Sequence, residues 1–131
     1  MADASPKIAV VDDDPAVLKA LSRLLRSRAF RTRTYGSGRE FLAALQTDVP
    51  ECLIVDLQMP DMTGLELQRQ LNRAGIRIPT IVITAHDEAD MRELCAAAGA
   101  ETYLLKPLQD TALLAAINDV RVGISQRRYP K

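Results

Sequence analysis

Apolar positions follow two alternating patterns along the chain. Short runs rich in β-branched residues, Lys7–Val11, 53–56, Thr80–Thr84 and Thr102–Leu105, are each followed by a longer stretch of leucines at helical spacing. The runs read as buried strands and the longer stretches as amphipathic helices. Leu18, Leu21, Leu24 and Leu25 give the first helix its apolar face, and Asp14-Pro15 marks its start with a capping acid and a proline at the first helical position. Phe41, Leu42 and Leu45 face the second helix inward; Ser37 and Glu40 stand at capping-box spacing ahead of it, and Val49-Pro50 breaks it. Thr63 and Glu66 form another such pair before Leu65, Leu67 and Leu71, and Gly75 stops that helix. Asp87 is expected to cap a fourth helix of Met91, Leu94 and Cys95 closed by Gly99, and Leu113, Leu114, Ile117 and Val120 mark the last. Arg31–Tyr35 alternates charge with threonine, which suggests a less buried edge strand.

Five strands alternating with five helices through short connections imply an α/β fold with one doubly wound parallel sheet, (βα)5, and helices on both faces. The length of 131 residues suits one such layer and is short for an eight-fold barrel. Seventeen basic residues balance seventeen acidic ones, so no overall field favours nucleic acid or a membrane. No apolar run approaches the ~18 residues of a membrane span. No signal peptide is expected at the N-terminus, and Cys52 and Cys95 stand at no metal-like spacing, so a reduced cytoplasmic chain is the economical expectation.

In a parallel sheet all carboxyl ends of the strands share one rim, where ligands bind. That rim collects Asp12 and Asp13, then Tyr35, Asp56, Thr84 and Lys106. Each has an ordinary explanation alone: a helix cap, a turn acid, a strand hydroxyl, a solvated ammonium. Together they form a more pointed set. Three clustered carboxylates repel unless some are protonated or a divalent cation lies among them. All-oxygen donors favour a hard ion such as Mg²⁺, which accepts phosphate as a further ligand. Asp56 is then a carboxylate nucleophile able to form an acyl phosphate, with the metal and Lys106 neutralising the transferring group. Thr84 suits a hydrogen bond to a phosphoryl oxygen that is present only after transfer.

The pieces Val10-Val11-Asp12-Asp13, Ile54-Val55-Asp56, Met59-Pro60, Gly64, Ile83-Thr84-Ala85 and Tyr103-Leu104-Leu105-Lys106-Pro107 occur in an order and spacing that resemble receiver domains of two-component response regulators. The likeness is greatest to receivers of nitrogen-fixation type, which precede a helix-turn-helix output half, and it runs from about Lys7 to about Val122. It implies a flavodoxin-like sheet of order 2-1-3-4-5. It also implies that Asp56 accepts phosphate from a histidine of a sensor kinase or phosphotransfer protein. Asp13 would bind Mg²⁺ directly and Asp12 largely through water, with the Gln58 backbone carbonyl completing the protein ligands. Lys106 would pair with the phosphoryl group, and its bond to Pro107 would be cis. Thr84 and Tyr103 would form a coupled switch that remodels the fourth helix, fifth strand and fifth helix for dimerisation or an output partner. Gln58 and His86, each two residues past a key side chain, would modulate phosphate lifetime. Such a module catalyses only its own phosphorylation and dephosphorylation.

The expected organisation is a receiver domain over 1–123 and a polar basic tail or linker stub over 124–131, without nucleic-acid binding by this chain. Two alternatives stand beside this reading. One is a Mg²⁺ phosphatase of haloacid-dehalogenase type with Asp12 as nucleophile and Asp14 as acid–base, although Ala16 departs from that family's pattern. The other is a receiver-like module that binds a partner without being phosphorylated.

Overall fold

A computed structural model describes residues 5–127, with side chains described through Arg121. The chain forms β1 (Lys7–Val11), α1 (Pro15–Ser27), β2 (Arg31–Tyr35), α2 (Gly38–Ala44), β3 (Cys52–Asp56), α3 (Gly64–Arg73), β4 (Thr80–Thr84), α4 (Ala89–Ala97), β5 (Thr102–Leu105) and α5 (Asp110–Arg127). The strands make one parallel sheet in the order β2-β1-β3-β4-β5. β3 and β4 are buried along their whole length, whereas β2 buries only Thr32, as its charge alternation anticipates for an edge.

Alternate residues of β1, β3 and β4 feed opposite cores. Ile8, Val10, Ile54, Ile81 and Ile83 pack against Leu21 and Leu25 of α1 and Leu113 and Ile117 of α5. Ala9, Val11, Leu53, Val55 and Val82 pack against Phe41 of α2, Leu67 and Leu71 of α3 and Cys95 of α4. This two-sided burial explains why the central strands are continuous apolar runs rather than alternating ones. Among the described residues, no helix is long and apolar enough to cross a membrane.

Local signals account for most helix ends. The Asp14 carboxylate accepts the Ala16 N–H, with Pro15 as the first residue of α1. Thr63 and Glu66 form the full reciprocal box at α3. Gly75 and Gly99 follow α3 and α4 at φ of +72° and +105°, conformations that glycine adopts without a Cβ penalty.

Several expectations are corrected. Asp87 does not cap α4: the cap position is Glu88, without a side-chain bond, and the Asp87 carboxylate is drawn instead to Arg92 Nη2 at 2.5 Å. Leu94 is 42% exposed, because the inward stripe of α4 runs through Met91, Cys95 and Ala98. The Ser37–Glu40 box is only half formed: Ser37 Oγ accepts the Glu40 N–H, but it also donates to the Glu40 carboxylate, which therefore does not reach back to the backbone. α2 ends at Ala44, before Val49-Pro50. α5 runs through Arg127 and so takes in 124–127, and 128–131 lie outside the described residues.

Candidate functional site

The carboxyl rim of the sheet is assembled by strand register. Val11, the last residue of β1, pairs with Val55 of β3, which brings Asp12 and Asp13 beside Asp56. Asp56 in turn lies opposite Ile83, the neighbour of Thr84, and the Leu57 N–H extends that pairing to the Ile83 carbonyl at 2.8 Å. The Lys106 N–H donates to the Thr84 carbonyl at 2.7 Å, tying the start of the β5–α5 loop to the end of β4. The Lys106–Pro107 peptide is cis.

Asp12, Asp13 and Asp56 each offer an oxygen, and these three atoms lie within 4.8 Å of one another. Asp12 and Asp56 are buried and Asp13 is exposed, so the cluster opens to solvent on one side. Lys106 Nζ sits 2.9 Å from Asp12 Oδ2 and 3.4 Å from Asp56 Oδ1. Burial, then the nearby Asp12 charge, push the Asp56 carboxyl above the usual range, while Lys106 and the Gln58 backbone N–H pull it back only in part. For Lys106, burial works against the ammonium, but hydrogen bonds and charge from Asp12 and Asp56 outweigh it and raise the pKa. An all-oxygen group of three acids, one of them open to water, fits a hard divalent cation that keeps part of its hydration shell.

Thr84 is fully buried at the end of β4. Its hydroxyl donates to Gln58 Oε1 at 3.1 Å and accepts the His86 N–H at 3.2 Å. The Tyr103 hydroxyl donates to the His86 carbonyl at 3.4 Å, and the Arg92 guanidinium lies 5.3 Å from the Tyr103 ring centre. The rim therefore holds Asp12, Asp13, Asp56 and Lys106 in one charged group and Gln58, Thr84 and Tyr103 in a polar chain joined through the His86 backbone. The His86 side chain is exposed and stands outside the acidic group, as does Asp14, which is used as the cap of α1. Asp14 is thus not placed as the acid–base group that the phosphatase alternative requires.

Two residues named from the sequence have contacts that it does not signal. The Gln58 side chain was expected to act near attacking water, and its bond to Thr84 has no signal in the chain. Gly64 matters through absence of a side chain: a Cβ there would lie 2.6 Å from the Asp56 carbonyl oxygen, so α3 can start against the end of β3 only with glycine.

The family model of the response regulator receiver domain matches residues 8–118. The chain is 40% identical over 117 residues to the response regulator protein TodT of Pseudomonas putida, a match over 89% of this chain and 52% of that protein. It is 39% identical over 108 residues to the transcriptional regulatory protein FixJ of Rhizobium meliloti, over 82% of this chain and 53% of FixJ. The chain thus spans about half the length of these curated relatives. Among solved structures, a response regulator receiver protein from Burkholderia phymatum superposes with a TM-score of 0.79 at 46% identity, covering 89% of this chain and 95% of that one.

Proposed function

The chain belongs to the response regulator receiver domain family, and from that premise we propose that Asp56 is the phosphoacceptor of a two-component relay. The phosphodonor is a histidine of a sensor kinase or phosphotransfer protein. A lone pair of an Asp56 carboxylate oxygen forms the new O–P bond as the P–N bond of the phosphohistidine breaks, and the electrons of that bond return to the imidazole. Catalysis of such a transfer is chiefly positioning and charge neutralisation.

The observation that carries this reading is the junction of three carboxylates with one ammonium around Asp56. Asp12, Asp13 and Asp56, with the Gln58 backbone carbonyl, are the candidate Mg²⁺ ligands, Asp12 acting largely through water. When bound, the cation supplies positive charge to the phosphoryl oxygens. Lys106, 3.4 Å from Asp56 Oδ1, supplies a second positive charge and pairs with the phosphoryl group. Thr84 donates to a phosphoryl oxygen once one is present. Through the His86 backbone, that movement is passed to Tyr103 and alters the surface of α4, β5 and α5, where a second copy or an output partner binds. His86, exposed two residues past Thr84, tunes phosphate lifetime together with Gln58. A cytoplasmic location, where kinases of this type present their phosphohistidine, belongs to the same reading.

Incubation with a small phosphodonor and Mg²⁺, followed by intact-mass measurement, tests the assignment. One added phosphoryl group is expected, absent in Asp56→Asn and absent with excess chelator. Incorporation that survives Asp56→Asn and disappears in Asp12→Asn would overturn it.

A further inference from the structure

The hydrogen bond between Thr84 and Gln58 conflicts with the role Thr84 has in phosphoryl binding. A threonine hydroxyl carries one proton and can make one donation. In this structure Gln58 Oε1 at 3.1 Å is the nearer of two acceptors for that proton, the His86 carbonyl at 3.3 Å being the other, while the oxygen itself accepts the His86 N–H at 3.2 Å. A phosphoryl oxygen on Asp56 must therefore draw the proton away from Gln58, its nearer partner, before Thr84 can donate to it. Both competitors come from the same strand end. Gln58 stands two positions past Asp56, on the loop leaving β3, and Asp56 lies opposite the residue before Thr84. Gln58 thus stands within two residues of the acceptor acid and bonds the switch hydroxyl through its side chain.

We propose that Gln58 is a positioning residue that competes with the phosphoryl group for the Thr84 hydroxyl proton and thereby sets how far phosphorylation shifts the switch. The inference rests on Asp56 being the phosphoacceptor. It differs from an effect on attacking water, because it acts in the state before transfer and passes only through Thr84. The second acceptor within reach of the hydroxyl, the His86 carbonyl at 3.3 Å, also receives the Tyr103 hydroxyl at 3.4 Å. Releasing Thr84 from Gln58 therefore changes the load on the same backbone group that holds Tyr103. Gln58 is exposed, so water solvates its amide when Thr84 leaves, and the hold has the modest net worth of a solvent-accessible hydrogen bond.

The test uses the full chain with Mg²⁺ and beryllofluoride, which mimics a carboxylate-bound phosphoryl group. Gln58→Met keeps the side-chain length at an exposed position and removes the amide oxygen. It is expected to bind beryllofluoride about two- to fivefold more tightly than the unaltered chain. The His86 backbone amide resonance of the free variant is expected to move toward its beryllofluoride-bound position. Both effects should vanish when Gln58→Met is placed in a Thr84→Val background, which has no hydroxyl proton to compete for. Equal affinity with an unmoved His86 amide overturns the proposal, and so does a gain that persists in the Thr84→Val background. Failure of the unaltered chain to bind beryllofluoride in an Asp56-dependent way is a different result. It removes the phosphoacceptor reading, and this inference with it.

Discussion

Lys106 and Asp12 form an ion pair at 2.9 Å across 94 residues of sequence, and the Asp12 side chain is entirely buried. A buried carboxylate is tolerated when a partner and hydrogen bonds replace water, and removing one partner leaves the desolvation cost uncompensated. The Asp14 N–H supplies one further bond to Asp12 at 2.9 Å. Lys106 is partly exposed, which moderates the effect. Lys106→Met is expected to destabilise the chelator-treated protein by about 1–3 kcal/mol. Urea unfolding at neutral pH measures this, and added Mg²⁺ should restore more stability to the variant than it adds to the unaltered chain.

Asp56 gives the opposite sign. Burial and the Asp12 charge hold its carboxyl above the ordinary range, so the folded state binds that proton more tightly than the unfolded state. Its contribution to stability is most favourable below the unfolded carboxylate pKa and is lost as pH rises through the raised folded value. At neutral pH, without a divalent cation, the charged form is a net cost. Asp56→Asn is expected to raise stability there by about 1 kcal/mol. The difference from the unaltered chain should shrink toward zero below about pH 4. Urea midpoints collected from acid to neutral pH in chelator give both values.

Gly64 is a steric requirement rather than a conformational one. A Cβ would stand 2.6 Å from the Asp56 carbonyl oxygen and 3.1 Å from the Leu57 Cα, both backbone atoms that cannot swing aside. Gly64→Ala is expected to cost about 2–4 kcal/mol and to lower the phosphorylation proposed for Asp56, because α3 must back away from the end of β3. At Gly75 a Cβ meets nothing within 4 Å, and φ is +72°. Gly75→Ala should therefore cost only about 1 kcal/mol, from backbone strain alone, and leave phosphorylation intact. Comparing urea midpoints and phosphate incorporation for the two variants separates close approach from backbone strain.

Cys52 lies in the middle layer, fully buried on β3, and burial pushes its thiol from 9.0 up to about 12, with Arg121 opposing only weakly. The thiolate is the reactive form, so the native thiol should resist aromatic disulfide reagents at pH 8 and react at once in urea. The sign for stability follows from the raised value. The contribution is intact below about pH 9, where the thiol is neutral whether folded or not, and falls between about 9 and 12, where only the unfolded chain loses the proton. In that window, Cys52→Ala should lose stability less steeply with pH than the unaltered chain. Denaturation midpoints at alkaline pH check this.

Whether a feature could be read in the chain depended on how many separate segments had to meet to create it. The bounds of Lys7–Val11, Arg31–Tyr35, Thr80–Thr84 and Thr102–Leu105 were legible because period and β-branching act within a few residues. The Thr63–Glu66 box formed in full for the same reason. The box at Ser37 failed although its spacing was right, because the Glu40 carboxylate took the hydroxyl of Ser37 instead of its N–H. Asp87 lost its cap role to a competitor a turn away, Arg92. Leu94 shows the same limit: helical spacing gives a stripe, but the neighbouring α3 and β5 select which side of it is covered.

Local chemistry thus specified five strand–helix units and, through the parallel arrangement they require, the convergence of Asp12, Asp13, Asp56, Thr84 and Lys106 on one rim. Packing across the sheet settled what no segment holds by itself. It buried Asp12 while leaving Asp13 open, gave Lys106 to Asp12 more closely than to Asp56, and turned the Gln58 amide onto Thr84. These are matters of ångströms between side chains on different strands. Period and composition carry no record of them, because a side chain's direction is decided by the neighbours that fill the remaining space.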